Sequence, residues 1–108
     1  MKKVEKLKVG LVSLTPTALV EKGRKHVESC TDNTDVTLPP TLLTELGDAC
    51  DALDAANIAV EKNGGKQDRI RRATRVTELK ALIWLLAGHV ELQCGGIGEK
   101  IVGTGFDL

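Results

Sequence analysis

The chain has 108 residues, 42% of them hydrophobic and 28% charged, which is the balance of one globular domain with one core. Its 15 basic and 15 acidic side chains cancel, so no net field is available to attract nucleic acid or an anionic membrane. One Phe, one Trp and no Tyr leave almost no platform on which bases could stack, and no nucleic-acid partner is expected.

Residues 1–14 alternate loosely, with Leu7, Val9 and Leu11 on one side and Lys6, Lys8 and Gly10 on the other, the period of a strand or an extended arm. The basic start lacks a small-residue cleavage site and its apolar part is interrupted by Lys8 and Gly10, so it is not read as a signal peptide. The compartment is left open, with the cytoplasm as default. An extended arm needs a partner, either the equally extended tail Ile101 to Leu108 or the same arm of a neighbouring copy.

Thr15-Pro16 reads as a helix start, because the Thr side chain can accept from a free amide and Pro at the first position loses no hydrogen bond. Leu19, Val20, Gly23, Val27 and Cys30 follow at helical spacing and give a first helix over 16–30. Gly23 weakens that helix by about 1 kcal/mol unless it admits another helix closely. Thr31 to Asp35 is loop chemistry, and Leu38-Pro39-Pro40 approaches the next helix in extended form.

A second helix is expected over 40–63, where Leu43, Leu46, Cys50, Leu53, Asn57 and Val60 recur at three and four residues. Asn63-Gly64-Gly65 turns the chain sharply and predicts an antiparallel third helix over 66–94. At about 1.5 Å per residue this helix is roughly 40 Å long, and the rest of the chain must pack along it. Its segment Ala81 to Ala87 is apolar nearly all the way round, which calls for cover on several sides. Seven residues are too few to cross a bilayer, so no membrane insertion is expected. Residues 98–102 make one helical turn, and Gly103 to Gly105 release Phe106 into a tail. The expected fold is all-α, an antiparallel three-to-four-helix bundle over 15–97, with an extended arm at 1–14 and a short turn and tail at 98–108. Its core is built on Leu43, Leu46, Cys50, Leu53, Leu82 and Leu86.

The acidic face of the second helix, Asp48, Asp51, Asp54 and Glu61, is expected beside Arg69, Arg71, Arg72 and Arg75 of the third. His26 sits among Arg24, Lys25 and Glu28 and reads as solvated. His89, near the end of the third helix, reads as structural. Cys94 and His89 are five residues apart, about 140° around a helix, so they share no face. Asp48, Asp51 and Asp54 lack matching carboxylates on another helix, and no C-x-x-C or Cys/His cluster is present, so neither a metal nor a cofactor is expected. With helices running up, down and up, Cys30 and Cys94 fall at the same end. If any disulfide forms it joins those two, leaving Cys50 as a buried thiol.

The run Lys8-Val9-Gly10-Leu11 with Leu14-Thr15-Pro16, the middle Leu38-Pro39-Pro40 helix with its Gly64-Gly65 turn, and the closing Gly95-Gly96 with Gly105-Phe106-Asp107-Leu108 resemble an uncharacterised helical domain. That domain occurs ahead of fibronectin type III modules in proteins of Bacteroidetes-type bacteria, and the resemblance covers residues 8–108. It implies no assigned activity and no catalytic residues. The chain departs from the pattern in stopping at Leu108, where such a module would begin, and in being richer in Arg and Cys, which points to action alone or by self-assembly.

The expected function is therefore a non-enzymatic structural or interaction protein. It would self-associate through its arms into a symmetric homo-oligomer or larger assembly, with Leu7, Val9, Leu11, Ile101, Val102 and Phe106 at the interface. One alternative is a monomeric adaptor or ligand-binding helical module whose tail folds back on its own bundle. Another is a phage virion component, associated with capsid or tail. An enzyme would have to use Cys94 or His89.

Overall fold

The computed structural model describes residues 7–108; the first six residues of the expected arm lie outside the described residues. Four helices follow one another, α1 (Pro16–Cys30), α2 (Leu42–Lys62), α3 (Lys66–Cys94) and α4 (Gly98–Val102), and the fold is all-α with no strand among the described residues.

Local chemistry sets the ends. Thr15 Oγ1 accepts from the Ala18 amide at 3.1 Å, with Pro16 in the first turn of α1. α3 stops at Gly95, which takes the left-handed conformation at φ 56° that a helix C-terminus favours. α2 starts two residues later than its expected 40, because Pro39 to Thr41 form a turn that the Leu42 amide closes on the Pro39 carbonyl at 3.1 Å. This start puts Leu42, Leu46, Cys50, Leu53, Ala56 and Asn57 on the buried stripe. Leu43, expected in the core, is displaced to its half-buried edge.

α2 and α3 pack along each other, α1 lies against both, and α4 caps the end of α3. The closest approach is at Gly23. A Cβ there would stand 2.5 Å from Cys50 Sγ and 3.3 Å from Leu79 Cδ1, so the missing side chain lets α1 reach the α2 and α3 seam. On α3 the buried residues are Leu79, Ile83, Leu86, Ala87, Val90 and Cys94. Leu82, also expected in the core, is half-buried beside them.

The arms correct the expectation of an interface. Val9, Leu11, Ile101 and Phe106 are buried in the chain's own core, with Leu7 packed against it, and only Val102 remains exposed. Among the described residues the two arms meet in one antiparallel bridge, in which the Lys8 amide donates to the Asp107 carbonyl at 2.7 Å. Each thereby satisfies backbone groups of the other. The connection between α1 and α2 is held differently: Gln93 on α3 donates from Nε2 to the Thr37 carbonyl at 2.6 Å and accepts from the Thr37 amide.

The charge match also differs from expectation. Asp51 and Asp54 pair with Arg24 of α1, at 3.2 and 3.4 Å, because they lie on the side of α2 that faces α1. Arg71 and Arg75 pair within α3, with Asp68 and Glu78. All four pairs are exposed enough for solvent to weaken them.

Candidate functional site

The Cα trace measures 55 × 27 × 16 Å. α1 and α2 pack against one side of α3 and α4 against its end, so among the described residues its other side is left uncovered. α3 shows the result. Opposite its buried stripe, Trp84 is 59% exposed, Leu85 52% and Leu92 83%. The apolar segment that the sequence expects to be covered has one covered face and one bare one.

The bare face has its own order. Ala81, Leu85, Gly88 and Leu92 are all exposed and recur at four, three and four residues, so they form a second stripe on α3. Trp84 and His89 flank it, and these side chains with Leu85, Gly88 and Leu92 line a shallow depression of about 300 Å³. Among the described residues, nothing outside its own helix turn approaches the position of a Gly88 Cβ to within 4 Å. The stripe runs into a larger groove of about 570 Å³ between α2 and α3. Ala49, Ala52, Ala81 and Leu82 form its floor, and Glu45, Asp48, Glu78 and Arg75 stand around it.

The groups expected to be chemically interesting lie elsewhere. His26 is fully buried, not solvated. It belongs to the stripe Leu19, Gly23, His26 and Cys30 on the inner face of α1, a spacing that the surrounding charged residues obscure. Its Nδ1 bonds the Thr104 carbonyl at 2.9 Å, which makes Nδ1 the protonated nitrogen and leaves the buried Nε2 without a partner. Burial, with smaller contributions from Lys22 and Lys25, lowers its pKa from the ordinary 6.5 to about 4, against the opposing effects of Thr104 and Asp107. Its ring lies 4.0 Å from that of Phe106, over whose other neighbourhood Lys22 Nζ sits at 5.5 Å. The arrangement fastens the C-terminal tail to α1.

All three cysteines are buried and free. Burial pushes the Cys30 and Cys50 thiols up to about 11 and raises that of Cys94 as well. Cys94 also raises Cys30, so these two thiols share one end of the bundle, whereas Cys50 lies under Gly23. A thiol held protonated in this way is a poor nucleophile at neutral pH. His89 lies half-buried beside the bare face of α3, away from the Cys94 side of the helix. Among the described residues no cluster of three His, Cys, Asp or Glu side chains is placed to hold a metal ion, and no helix is long and apolar enough to cross a membrane.

Compared with protein-family models, with curated proteins and with solved structures, the chain has no match.

Proposed function

We propose that this chain is a non-enzymatic helical interaction module that acts as a homo-oligomer, with α1, α2 and α3 running up, down and up as an antiparallel bundle. The short connection between α2 and α3 at Asn63 to Gly65 supports the reversal, as does the electrostatic reach of Cys94 to Cys30. The observation that carries the functional reading is the bare apolar face of α3, where Trp84, Leu85 and Leu92 stand in water. Large side chains gathered on one side of one helix are the usual mark of a protein contact surface. Self-association therefore moves from the arms, whose apolar residues serve the chain's own core, to the outside of α3.

The test is the native mass, measured by light scattering after gel filtration over a wide range of concentration with reductant present. A mass that rises from 11.6 kDa to a defined multiple supports the reading. A mass that stays at the monomer value up to hundreds of micromolar retires it.

The groove between α2 and α3 favours a second reading, an adaptor for a cationic amphipathic peptide. Its alanine and leucine floor and its Glu45, Asp48 and Glu78 rim match a helix with an apolar stripe flanked by lysines. Titration with a Lys-rich amphipathic peptide tests it, and Glu45→Lys with Asp48→Lys should abolish the binding.

A further inference from the structure

The self-association reading leaves open how two copies meet, and the order of side chains on the outer stripe of α3 answers it. Along the helix the stripe alternates small and large: Ala81, Leu85, Gly88, Leu92. Two such stripes laid parallel and in register put Leu on Leu and Gly on Gly, so the large layers hold the helices apart where the small layers leave gaps. Laid antiparallel about a dyad between the levels of Leu85 and Gly88, the same stripes fit. Leu85 then faces Gly88 of the second copy, and Leu92 faces the second copy's Ala81, so every large side chain enters the hole left by a small one. The two-fold axis makes the contact isologous and closed.

We propose that the protein forms a two-fold homodimer by antiparallel packing of α3 against α3, centred between Leu85 and Gly88. This rests on the self-association reading and deepens it. Two further observations bear on it. Gly88 costs the interior of a helix about 1 kcal/mol relative to Ala, and among the described residues no group outside its own helix turn comes close enough to require it. The Leu85 side chain of a second copy, entering at that level, does require it. The exposed parts of Trp84, Leu85 and Leu92 amount to an apolar surface on the order of 400 Å². With the flanks formed by Leu82 and His89, both less than about a third exposed, two copies bury about 1,000 Å² in total, the size of a weak, transient interface. The dimer is accordingly reversible.

Trp84, the only Trp in the chain, stands beside the dyad and reports on pairing. Its emission should shift to the blue as the protein is concentrated through the dissociation constant, in step with the mass from light scattering. Gly88→Gln fills the hole that receives Leu85, and Leu92→Glu places a charge against Ala81. Both positions are exposed, so each variant should keep the far-ultraviolet circular dichroism of the wild type and weaken dimerisation at least tenfold.

Cross-linking reads the direction. Leu92 of one copy lies about 16 Å along the axis from Leu92 of the other in the antiparallel pair, beyond the reach of a disulfide. Leu92→Cys alone should therefore not cross-link, whereas Ala81→Cys combined with Leu92→Cys should give a covalent dimer on a non-reducing gel. A dimeric wild type whose Leu92→Cys variant cross-links to itself, or whose Gly88→Gln variant dimerises undiminished, overturns the antiparallel seam while leaving self-association standing. A wild type that remains monomeric at every concentration overturns both, and the apolar face then belongs to a different protein.

Discussion

The imidazole of His26 packs against the ring of Phe106 with centroids 4.0 Å apart and planes inclined at 34°. The first helix and the last three residues of the chain are thereby joined through the only Phe in the sequence. The carbonyl of Thr104, two residues before Phe106, accepts from His26 Nδ1, and the whole arrangement is closed to solvent. Apolar stacking and one hydrogen bond act on the same ring, so each is more costly to lose than either would be alone.

Acid should loosen this contact. The folded pKa of His26 lies at about 4, below the ordinary 6.5, so between those values the unfolded chain binds the extra proton and the folded chain does not. Stability is then full above pH 6.5 and falls as the pH drops towards 4. The loss at the lower end is on the order of 3 kcal/mol. Lys22, Lys25 and Asp107 are the charged side chains whose fields act on the ring. Urea unfolding of the wild type and of His26→Leu at pH 7, 5.5 and 4.5 should give curves whose midpoints fall more steeply for the wild type. Equal slopes would remove His26 as the cause.

Gly105→Ala should release the tail. Gly105 has φ of +90°, a conformation side chains rarely adopt, and an added Cβ would lie 3.0 Å from His26 Nδ1. Strain and crowding together predict a loss of about 1–3 kcal/mol. Amide hydrogen exchange should show faster exchange confined to the tail and to Lys8, whose amide depends on Asp107. Uniform loss of protection across α2 and α3 would instead mean that the tail is integral to the global fold.

Gly23→Ala tests the closest helix contact. The new methyl would stand 2.5 Å from Cys50 Sγ, and in a closed core such overpacking costs about 1–3 kcal/mol. Adding Cys50→Ala removes the obstructing sulfur, so the double variant should recover part of the loss. The two changes should therefore fail to add in a double-mutant cycle. Strict additivity would place the strain elsewhere.

The thiols should be silent in the native protein. With Cys30, Cys50 and Cys94 all buried and each held protonated by burial, a thiol reagent at pH 8 should react at the rate of global unfolding and release three equivalents only in denaturant. Oxidation during refolding should yield a Cys30 to Cys94 bridge, those two being neighbours at one end of the bundle. Peptide mapping that placed Cys50 in the bridge would contradict that neighbourhood.

Local signals were enough for the helices. Thr15-Pro16, the Gly64-Gly65 turn and Gly95 set the ends of α1 and α3 as expected, because caps and breakers act through neighbouring backbone groups that the sequence shows directly. The apolar spacing likewise marked Leu46, Cys50, Leu53 and Leu86 as buried. What surrounds each face is a property of the assembled layer. The fate of His26 depended on where Phe106 and Thr104 return, some 78 residues later in the chain, and its charged neighbours on α1 hid that. The arms looked unpartnered because their partners are each other and the bundle, a pairing that only chain return reveals. On α3 the sequence shows apolar residues all round. Only the placement of α1, α2 and α4 decides that Leu79, Ile83 and Leu86 go inward while Trp84, Leu85 and Leu92 remain outside, since neighbours on one side of a helix can bury only one of its two stripes.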